Sequence, residues 1–269
     1  MSGFHDGLYE IGRLDRLALA DTPVHRLDAR AKVIATFVFL VCVVSFSRYE
    51  FGRLLPFVLF PIVLGAEGRV PLRWLAGRLI AAAPLALVVG VFNPVLDREI
   101  IAFIGPLGLS GGWVSYASIV ARFLLTTAAA LVLIATTSFN GVCAALTRMG
   151  VPDVFSTQLL FLYRYIFVLA EEALTTARAR DLRSFGRRGR GIRVYGSLLG
   201  HLLLRTYARA QRIHSAMQCR GFDGRIRVLA PRAFGRRDAV FLAGWSVVLV
   251  TFRVVDVADL LGRFLIGVF

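Results

Sequence analysis

The sequence predicts an all-α integral membrane protein with about five transmembrane helices and a helical module on the cytoplasmic side. Hydrophobic residues make up 57% of the 269-residue chain, charged residues make up 18%, and the mean hydropathy is +0.68. These values are typical of a multi-pass membrane protein and exclude an ordinary soluble domain. Sixteen arginines and four acidic residues lie between Glu171 and Arg237, so +12 of the net charge of +15 falls in one quarter of the chain. The positive-inside rule places this quarter in the cytoplasm.

Five apolar runs predict the transmembrane helices. Several are shorter than the ~20 residues that an isolated span needs, so flanking tyrosine, tryptophan and arginine side chains must reach the interface. The fourth helix is expected to start near Trp113 and to contain Arg122. The five runs are Val33–Ser47, Leu54–Ala66, Leu79–Leu96, Phe123–Ser138 and Ala239–Phe252.

Basic clusters orient these helices. The cluster within Arg13–Lys32 places the N-terminus inside, and the cluster Arg69–Arg78, two spans later, is inside as well. If Val154–Ala170 also crossed, the arginine-rich quarter would lie outside, so this run is predicted to lie along the cytoplasmic interface. Five crossings satisfy every charge cluster and leave the C-terminus outside. The chain then divides into 1–138 with four transmembrane helices, 139–237 as the cytoplasmic and interfacial module, and 238–269 with the last helix.

The predicted cytoplasmic module contains two long helices, one from Val154 to about Arg183 and one from about Ser197 to Arg220. Each ends with an arginine followed by a small residue and a phenylalanine, as Leu182-Arg183-Ser184-Phe185 and Cys219-Arg220-Gly221-Phe222. A guanidinium fork fixed at a helix end suits a carboxylate-lined groove on another protein. For most of the other arginines we interpret the charge as binding to anionic lipid.

These two segments resemble the paired Ala-Arg-Gly or Ala-Arg-Ser triplets of the transmembrane T component of energy-coupling factor transporters. The second triplet lies in Ala216-Met217-Gln218-Cys219-Arg220-Gly221-Phe222, which is similar to the family's Ala-Met-x-Ala-Arg-Gly-Phe. Alanine is replaced in both triplets, and Ala179-Arg180-Asp181 offers another register for the first. The segment Pro23–Asp28 is most similar to the Q subunits of the cobalt and nickel branch.

The resemblance implies a coupling subunit without catalytic activity, located as a multi-pass protein in a bacterial cytoplasmic (inner) membrane. It would bind two ATPases of the ATP-binding-cassette type and a membrane S component that holds the substrate, here cobalt or nickel. The two triplets would contact the ATPases through Leu182, Arg183 and Ser184 and through Cys219, Arg220 and Gly221. The apolar surface of Val154–Ala170 would carry the S component, and we expect three residues to form this platform: Leu159, Leu162 and Ile166.

Other chemistry is not encoded by any recognisable motif. Lys32 is the only lysine and lies in Ala31-Lys32-Val33, so the chain has no Gly-Lys-Ser/Thr phosphate loop. We expect no catalytic residue, metal site, cofactor or nucleic-acid partner. Two alternatives stay open: a self-sufficient carrier, for which few intramembrane polar residues are present, and a basic membrane anchor that binds anionic lipid or nucleic acid.

Overall fold

The computed structural model describes residues 17–47, 49–93, 100–104, 107–183, 192–224, 226 and 233–255. These residues fall into two compact units. We call the first, residues 17–145 and 233–255, the core unit. The second, residues 146–226, is called the long-helix unit.

The chain forms the all-α fold that the sequence predicts, with one short antiparallel hairpin among the described residues. The elements in order are α1 (Ala29–Val44), a 3-10 helix (Gly52–Val58), α2 (Leu59–Glu67), α3 (Leu72–Gly90), β1 (Ile100–Ile104), β2 (Leu107–Ser110), α4 (Gly111–Thr137), α5 (Phe139–Arg148), α6 (Asp153–Arg183), α7 (Ile192–Cys219) and α8 (Arg236–Val254). Neither the hairpin nor α5 was predicted.

Two helices begin earlier in the chain than the sequence pattern predicts. Helix α3 begins at Leu72 and includes Arg73 and Arg78, whereas the apolar run begins at Leu79. Helix α7 begins at Ile192 rather than near Ser197. A helix continues as long as its backbone bonds are satisfied, so charged side chains at its ends do not stop it. The expected start of the fourth helix near Trp113, with Arg122 inside, is confirmed by α4.

An aromatic cluster joins four helical segments of the core unit. Phe39 of α1 stacks on Phe60 of α2 with ring centroids 4.7 Å apart. Trp245 of α8 meets Phe60 edge-on at 5.0 Å, and the buried Phe57 contacts Phe252 at 6.1 Å. Edge-on and stacked pairs of this kind contribute packing beyond the buried area. The helices therefore form one interlocked core.

Buried polar contacts hold the helix ends of this unit together. Asp238, at the start of α8, accepts the Asp28 backbone N–H at 2.7 Å and the Gly235 N–H at 2.8 Å. Asp28 in turn caps α1 by accepting the Arg30 N–H at 2.8 Å. The buried Lys32 ammonium donates to the Thr136 carbonyl near the end of α4 at 2.8 Å. Polar groups with such partners are tolerated in the interior and fix the positions of α1, α4 and α8.

Three of the described helices are long and apolar enough to cross a membrane, namely α3, α4 and α6. The first two include most of the third and fourth predicted spans. Helix α6 contains the apolar run Val154–Ala170. The charge pattern predicts that this run lies along the cytoplasmic interface and does not cross the membrane. Helix α1 has 16 residues and is about 24 Å long at 1.5 Å per residue. The arrangement of five crossings therefore stays a prediction.

Candidate coupling surface

Helix α7 ends in a Schellman motif that fixes the position of Arg220. Gly221 has φ +76°, a conformation that favours glycine, and its N–H donates to the Gln218 carbonyl at 3.0 Å. The Phe222 N–H donates to the Met217 carbonyl at 3.0 Å, which completes the motif. Cys219, Arg220 and Gly221 are all exposed. The predicted second triplet is therefore a defined helix end whose arginine is exposed on the surface of the unit.

Helix α6 also presents an arginine at its end. Arg183 is its last residue and is exposed, and Leu182 beside it is 85% exposed. Ser184, the third residue of this predicted triplet, lies outside the described residues. Helix α6 is described as far as Arg183, and α7 ends at Cys219, one residue before the predicted Arg220.

Arg180, the arginine of the alternative register, lies in a different environment. Its guanidinium lies over the Tyr195 ring at 4.6 Å, and its side chain is only 12% exposed. The nearest oxygen of Asp181 is 3.8 Å away. Arg180 thus faces the interior of the long-helix unit, whereas Arg183, one turn later, faces outward. The geometry favours the register centred on Arg183.

Glu172 is a residue that the sequence analysis did not single out. Its carboxylate lies 3.1 Å from Arg205 and 3.0 Å from Arg209, and only 14% of its side chain is exposed. Arg205 and Arg209 of α7 therefore have an acidic partner inside the unit. The interpretation of these arginines as lipid-binding residues did not foresee this partner. Glu172 is one of four acidic residues in the arginine-rich segment from Glu171 to Arg237. The scarcity of acidic residues there was the sequence signal that could have drawn attention to it.

These contacts show that α6 and α7 run antiparallel within the long-helix unit. Arg180 near the end of α6 contacts Tyr195 near the start of α7, and Thr157 near the start of α6 donates to the Gly224 carbonyl just after α7. Thr157 and Arg183 are 26 residues apart on α6, about 39 Å at 1.5 Å per residue. Arg183 and Arg220 consequently lie at opposite ends of one helix pair.

A groove of about 340 Å³ runs between α6 and α7. The expected platform residues lie on the helix that forms one of its walls: Leu162 lines the groove and is 60% exposed, Ile166 is 48% exposed, and Leu159 is half-buried. Val154 and Phe155, at the start of α6, are exposed as well. An exposed apolar surface of this extent is typical of a protein or membrane contact.

Within the part of the chain that the structure describes, the cysteine, histidine and acidic side chains form no cluster that suggests a metal or redox site. Among the described residues, no group of three or more His, Cys, Asp or Glu could hold a metal ion. Cys42 and Cys143 are buried, and Cys219 is exposed. Desolvation raises the pKa of the Cys143 thiol, which keeps it protonated.

Comparisons with known proteins agree with this architecture. The family profile of the cobalt transport protein CbiQ matches residues 20–230. The chain is 34% identical to the cobalt transport protein CbiQ of Rhodobacter capsulatus over 63% of this chain and 67% of that protein. It is 30% identical to the nickel permease LarQ of Lactiplantibacillus plantarum over 44% of this chain and 43% of that protein.

A longer alignment is found with a relative that is named for the class of transporter and not for a particular metal. The chain is 25% identical to the energy-coupling factor transporter transmembrane protein EcfT of Limosilactobacillus fermentum, over 87% of this chain and 93% of that protein. The family match extends over most of the chain and includes α1 to α7, that is, both long helices and all of the core unit's helices except α8. The chain therefore belongs to the CbiQ family of cobalt transport proteins, the cobalt and nickel branch of the energy-coupling factor T components.

Proposed function

We propose that this chain is the coupling subunit of an energy-coupling factor importer for cobalt or nickel. It would transmit the movement of two ATP-binding-cassette ATPases to a separate membrane S component that holds the substrate. The observation that carries the proposal is the placement of Arg183 and Arg220 at opposite ends of one helix pair, both exposed. The names of the cobalt and nickel relatives support the substrate class.

The physical argument for ATPase binding rests on the guanidinium group. Arginine offers five donors in a rigid fork, which pairs with a carboxylate through two parallel hydrogen bonds. At the end of α7 the backbone around the fork is fixed by the Schellman bonds of Gly221 and Phe222. Because the two forks are separated by the length of the helix pair, each can enter a groove on a different ATPase. Leu182, Ser184, Cys219 and Gly221 would line these two contacts.

Contacts between α6 and α7 would make the helix pair move as one body. Glu172 binds Arg205 and Arg209, and the Arg180 guanidinium rests on Tyr195. A displacement at either arginine would therefore be passed along both helices. An S component resting on Leu159, Leu162 and Ile166 would then be tilted when the ATPases close. Substrate release would need no binding site in this chain.

We also propose that residues 139–237 lie on the cytoplasmic side and that the chain crosses the membrane five times. The excess of arginine in this segment supports the proposal. Cysteine-accessibility labelling near Ser2 and near Phe269 should place these positions on opposite faces of the membrane. Labelling of both positions from one side would contradict five crossings.

The proposed function is tested by co-purification and uptake. ATP-binding-cassette subunits should co-purify with the tagged chain, and cells should lose most uptake of radioactive cobalt or nickel when Arg183→Ala and Arg220→Ala are combined. Arg212→Ala is the matched control, because Arg212 is an exposed arginine on α7 away from the helix end. Equal losses for Arg212→Ala would favour a basic membrane anchor over a coupling subunit.

The platform is tested separately. Leu162→Asp or Ile166→Asp should detach the S component while the ATPases stay bound, because each change places a charge on an exposed apolar contact surface. Loss of the ATPases with retention of the S component would show that the two surfaces are assigned the wrong way round.

A further inference from the structure

The long-helix unit is inserted in the sequence of the core unit, so two chain connections join the two units. The chain leaves the core unit after α4, through α5, and it is described again in the core unit from residue 233. Both connections are covalent paths along which movement of α6 and α7 can reach the core unit. On the core side, each connection is held by residues from the start of α1.

A buried ammonium group holds the first connection. Helix α4 ends at Thr137, and Ser138 then takes φ +64°, a left-handed conformation that is uncommon outside glycine. The Ser138 hydroxyl accepts the Gly141 N–H at 3.1 Å, so the chain turns at this residue and α5 begins at once. Lys32, which is 4% exposed, donates to the Thr136 carbonyl at 2.8 Å, two residues before the turn. Carbonyls of the last helical turn lack partners within the helix, and a cation is favourable there.

Residues from the same start of α1 hold the second connection. The Arg30 guanidinium lies 5.4 Å from the centre of the Phe234 ring, just before α8. Asp238, in the first turn of α8, accepts the backbone N–H groups of Asp28 and Gly235. Asp28 and Asp238 are both buried, and removal of an acceptor from such a contact leaves buried donors unsatisfied. The segment that returns from the long-helix unit is therefore fastened where α8 begins.

The two contacts lie on opposite sides of one helical turn. Arg30 and Lys32 are two residues apart in α1, which corresponds to a rotation of about 200° around the helix axis. Asp28, the N-cap of α1, accepts the Arg30 N–H at 2.8 Å and so fixes this turn. Further along α1, Phe39 stacks on Phe60 in the aromatic cluster. One helical turn therefore joins both chain connections to the core.

We propose that the first turn of α1, Asp28–Lys32, is the anchor of the coupling helices. It holds both connections on the core side, so that a displacement of α6 and α7 moves the core unit and does not merely bend the chain at the connections. This inference rests on the proposed function, in which α6 and α7 move with the ATPases. Lys32 is then a positioning residue that acts through the backbone of α4, and Asp238 is one that acts through the backbone of α1.

The coupling ratio, defined as metal ions imported per ATP hydrolysed, tests the anchor. The complex is purified with its partners from native membranes and reconstituted in liposomes, where uptake of radioactive cobalt or nickel and ATP hydrolysis are both measured. Lys32→Met, which keeps the length of the side chain but removes the donor, should lower the ratio severalfold. Lys32→Arg should restore part of it, since a guanidinium can also donate to the Thr136 carbonyl. Asp238→Ala should lower the ratio as well, and Asp238→Asn should lower it less.

Two controls separate coupling from stability and from charge. Phe57→Leu loosens the packing against Phe46 and Phe252, at the opposite ends of α1 and α8, and should reduce the yield of complex without changing the ratio. Arg26→Gln removes an exposed charge just before α1 and should leave the ratio unchanged. A wild-type ratio in Lys32→Met would overturn the anchor and leave the proposed function intact. A wild-type complex without ATP-dependent import would instead contradict the proposed function.

Hydrogen exchange of the purified chain in detergent tests the two contacts independently of transport. Lys32→Met should speed amide exchange in residues 138–142 by about tenfold, the effect expected from losing one hydrogen bond to a charged donor, and should leave residues 235–239 unaffected. Asp238→Ala should show the reverse pattern. Unchanged exchange at both connections, or an equal increase throughout the core unit, would overturn the proposal.

Discussion

The two units of the chain differ in how they use their apolar side chains. In the core unit the large residues Phe39, Phe57 and Phe60 are fully buried against one another. Among the described residues of the long-helix unit, the buried hydrophobic ones are Ala170 and Leu174, while Phe155 and Leu203 are 64% and 70% exposed. A unit with a complete core can serve as a scaffold. The long-helix unit exposes apolar residues without a comparable buried core, so contact with other proteins or with lipid is needed to cover them.

The largest expected effect is on protein stability. It appears when a phenylalanine is replaced by alanine in the core unit and compared with the same replacement in the long-helix unit. Phe57→Ala should lower the stability of the protein by about 3 kcal/mol, since it removes a buried ring that contacts Phe46 and Phe252. Phe155→Ala should change the stability of the isolated chain by less than about 0.5 kcal/mol because the ring is exposed. Thermal unfolding in detergent measures both changes. Equal losses would mean that the long-helix unit has a core of its own.

The next effect concerns the buried polar link of the core unit. Asp238→Ala should cost about 2 kcal/mol, because the Asp28 and Gly235 N–H groups lose their acceptor. Asp238→Asn should cost less, since the amide oxygen can still accept one of the two bonds. The melting temperatures of the three proteins provide the measurement. A harmless Asp238→Ala would show that water replaces the carboxylate at this position.

In the long-helix unit, the ion pairs of Glu172 with Arg205 and Arg209 should matter for coupling rather than for stability. Glu172→Gln should lower the stability by less than about 1 kcal/mol, because Arg205 and Arg209 are 65% and 41% exposed and solvent screens the pairs. Metal uptake should nevertheless fall severalfold as α6 and α7 lose their connection. Glu171→Gln, at an exposed neighbouring position, is the control and should leave uptake unchanged. Normal uptake with Glu172→Gln would argue against movement of the helix pair as one body.

The smallest effect is a pH dependence in the core unit. His25 Nε2 lies 3.1 Å from the Leu17 carbonyl and Nδ1 lies 2.7 Å from the Thr22 hydroxyl, an arrangement that the neutral ring satisfies by donating from Nε2 and accepting at Nδ1. Desolvation and then Lys32 lower the pKa of His25 below 6.5, against the opposing effects of the Ala135 and Leu17 backbone and of Asp21. The unfolded chain therefore binds the proton more readily, and stability should be fully present above pH 6.5 and decrease as the pH falls below it.

A comparison of melting temperatures at pH 7.5 and pH 5.5 checks this sign. The wild-type protein should lose stability at the lower pH, and the loss should be smaller in His25→Gln, which keeps a donor and an acceptor but does not titrate in this range. An equal loss in both proteins would assign the pH dependence to other groups.

Local patterns predicted the features that depend on neighbouring residues in the sequence. The ends of α6 and α7 were predictable because Ser184 and Gly221 interrupt continuous helical patterns. Helix α5 was missed, although Ser138 caps it by accepting the Gly141 N–H at 3.1 Å and Gly150, with φ +101°, ends it. The 10 residues of α5 are clearly amphipathic, so the periodic signal was present, but the prediction was built on longer apolar runs.

The contacts that hold the site together could not be predicted from sequence. Glu172 and Arg209 are 37 residues apart, and Asp28 and Asp238 are 210 residues apart. Such pairs depend on how helices pack, which a hydrophobic pattern does not specify. The sequence therefore predicted which residues stand at the helix ends. The structure adds that these ends belong to one antiparallel pair with its own internal contacts.

The most direct test of the central claim is the number of ATPase subunits bound to each variant, measured by native mass spectrometry of the purified complex. If each helix end docks one ATPase, the wild type should hold two ATPases, Arg183→Ala and Arg220→Ala should each hold about one, and the double variant should hold none. Arg→Lys at either end should recover only part of the binding, since a point charge lacks the guanidinium fork. Two ATPases retained by the double variant would contradict coupling through these helix ends.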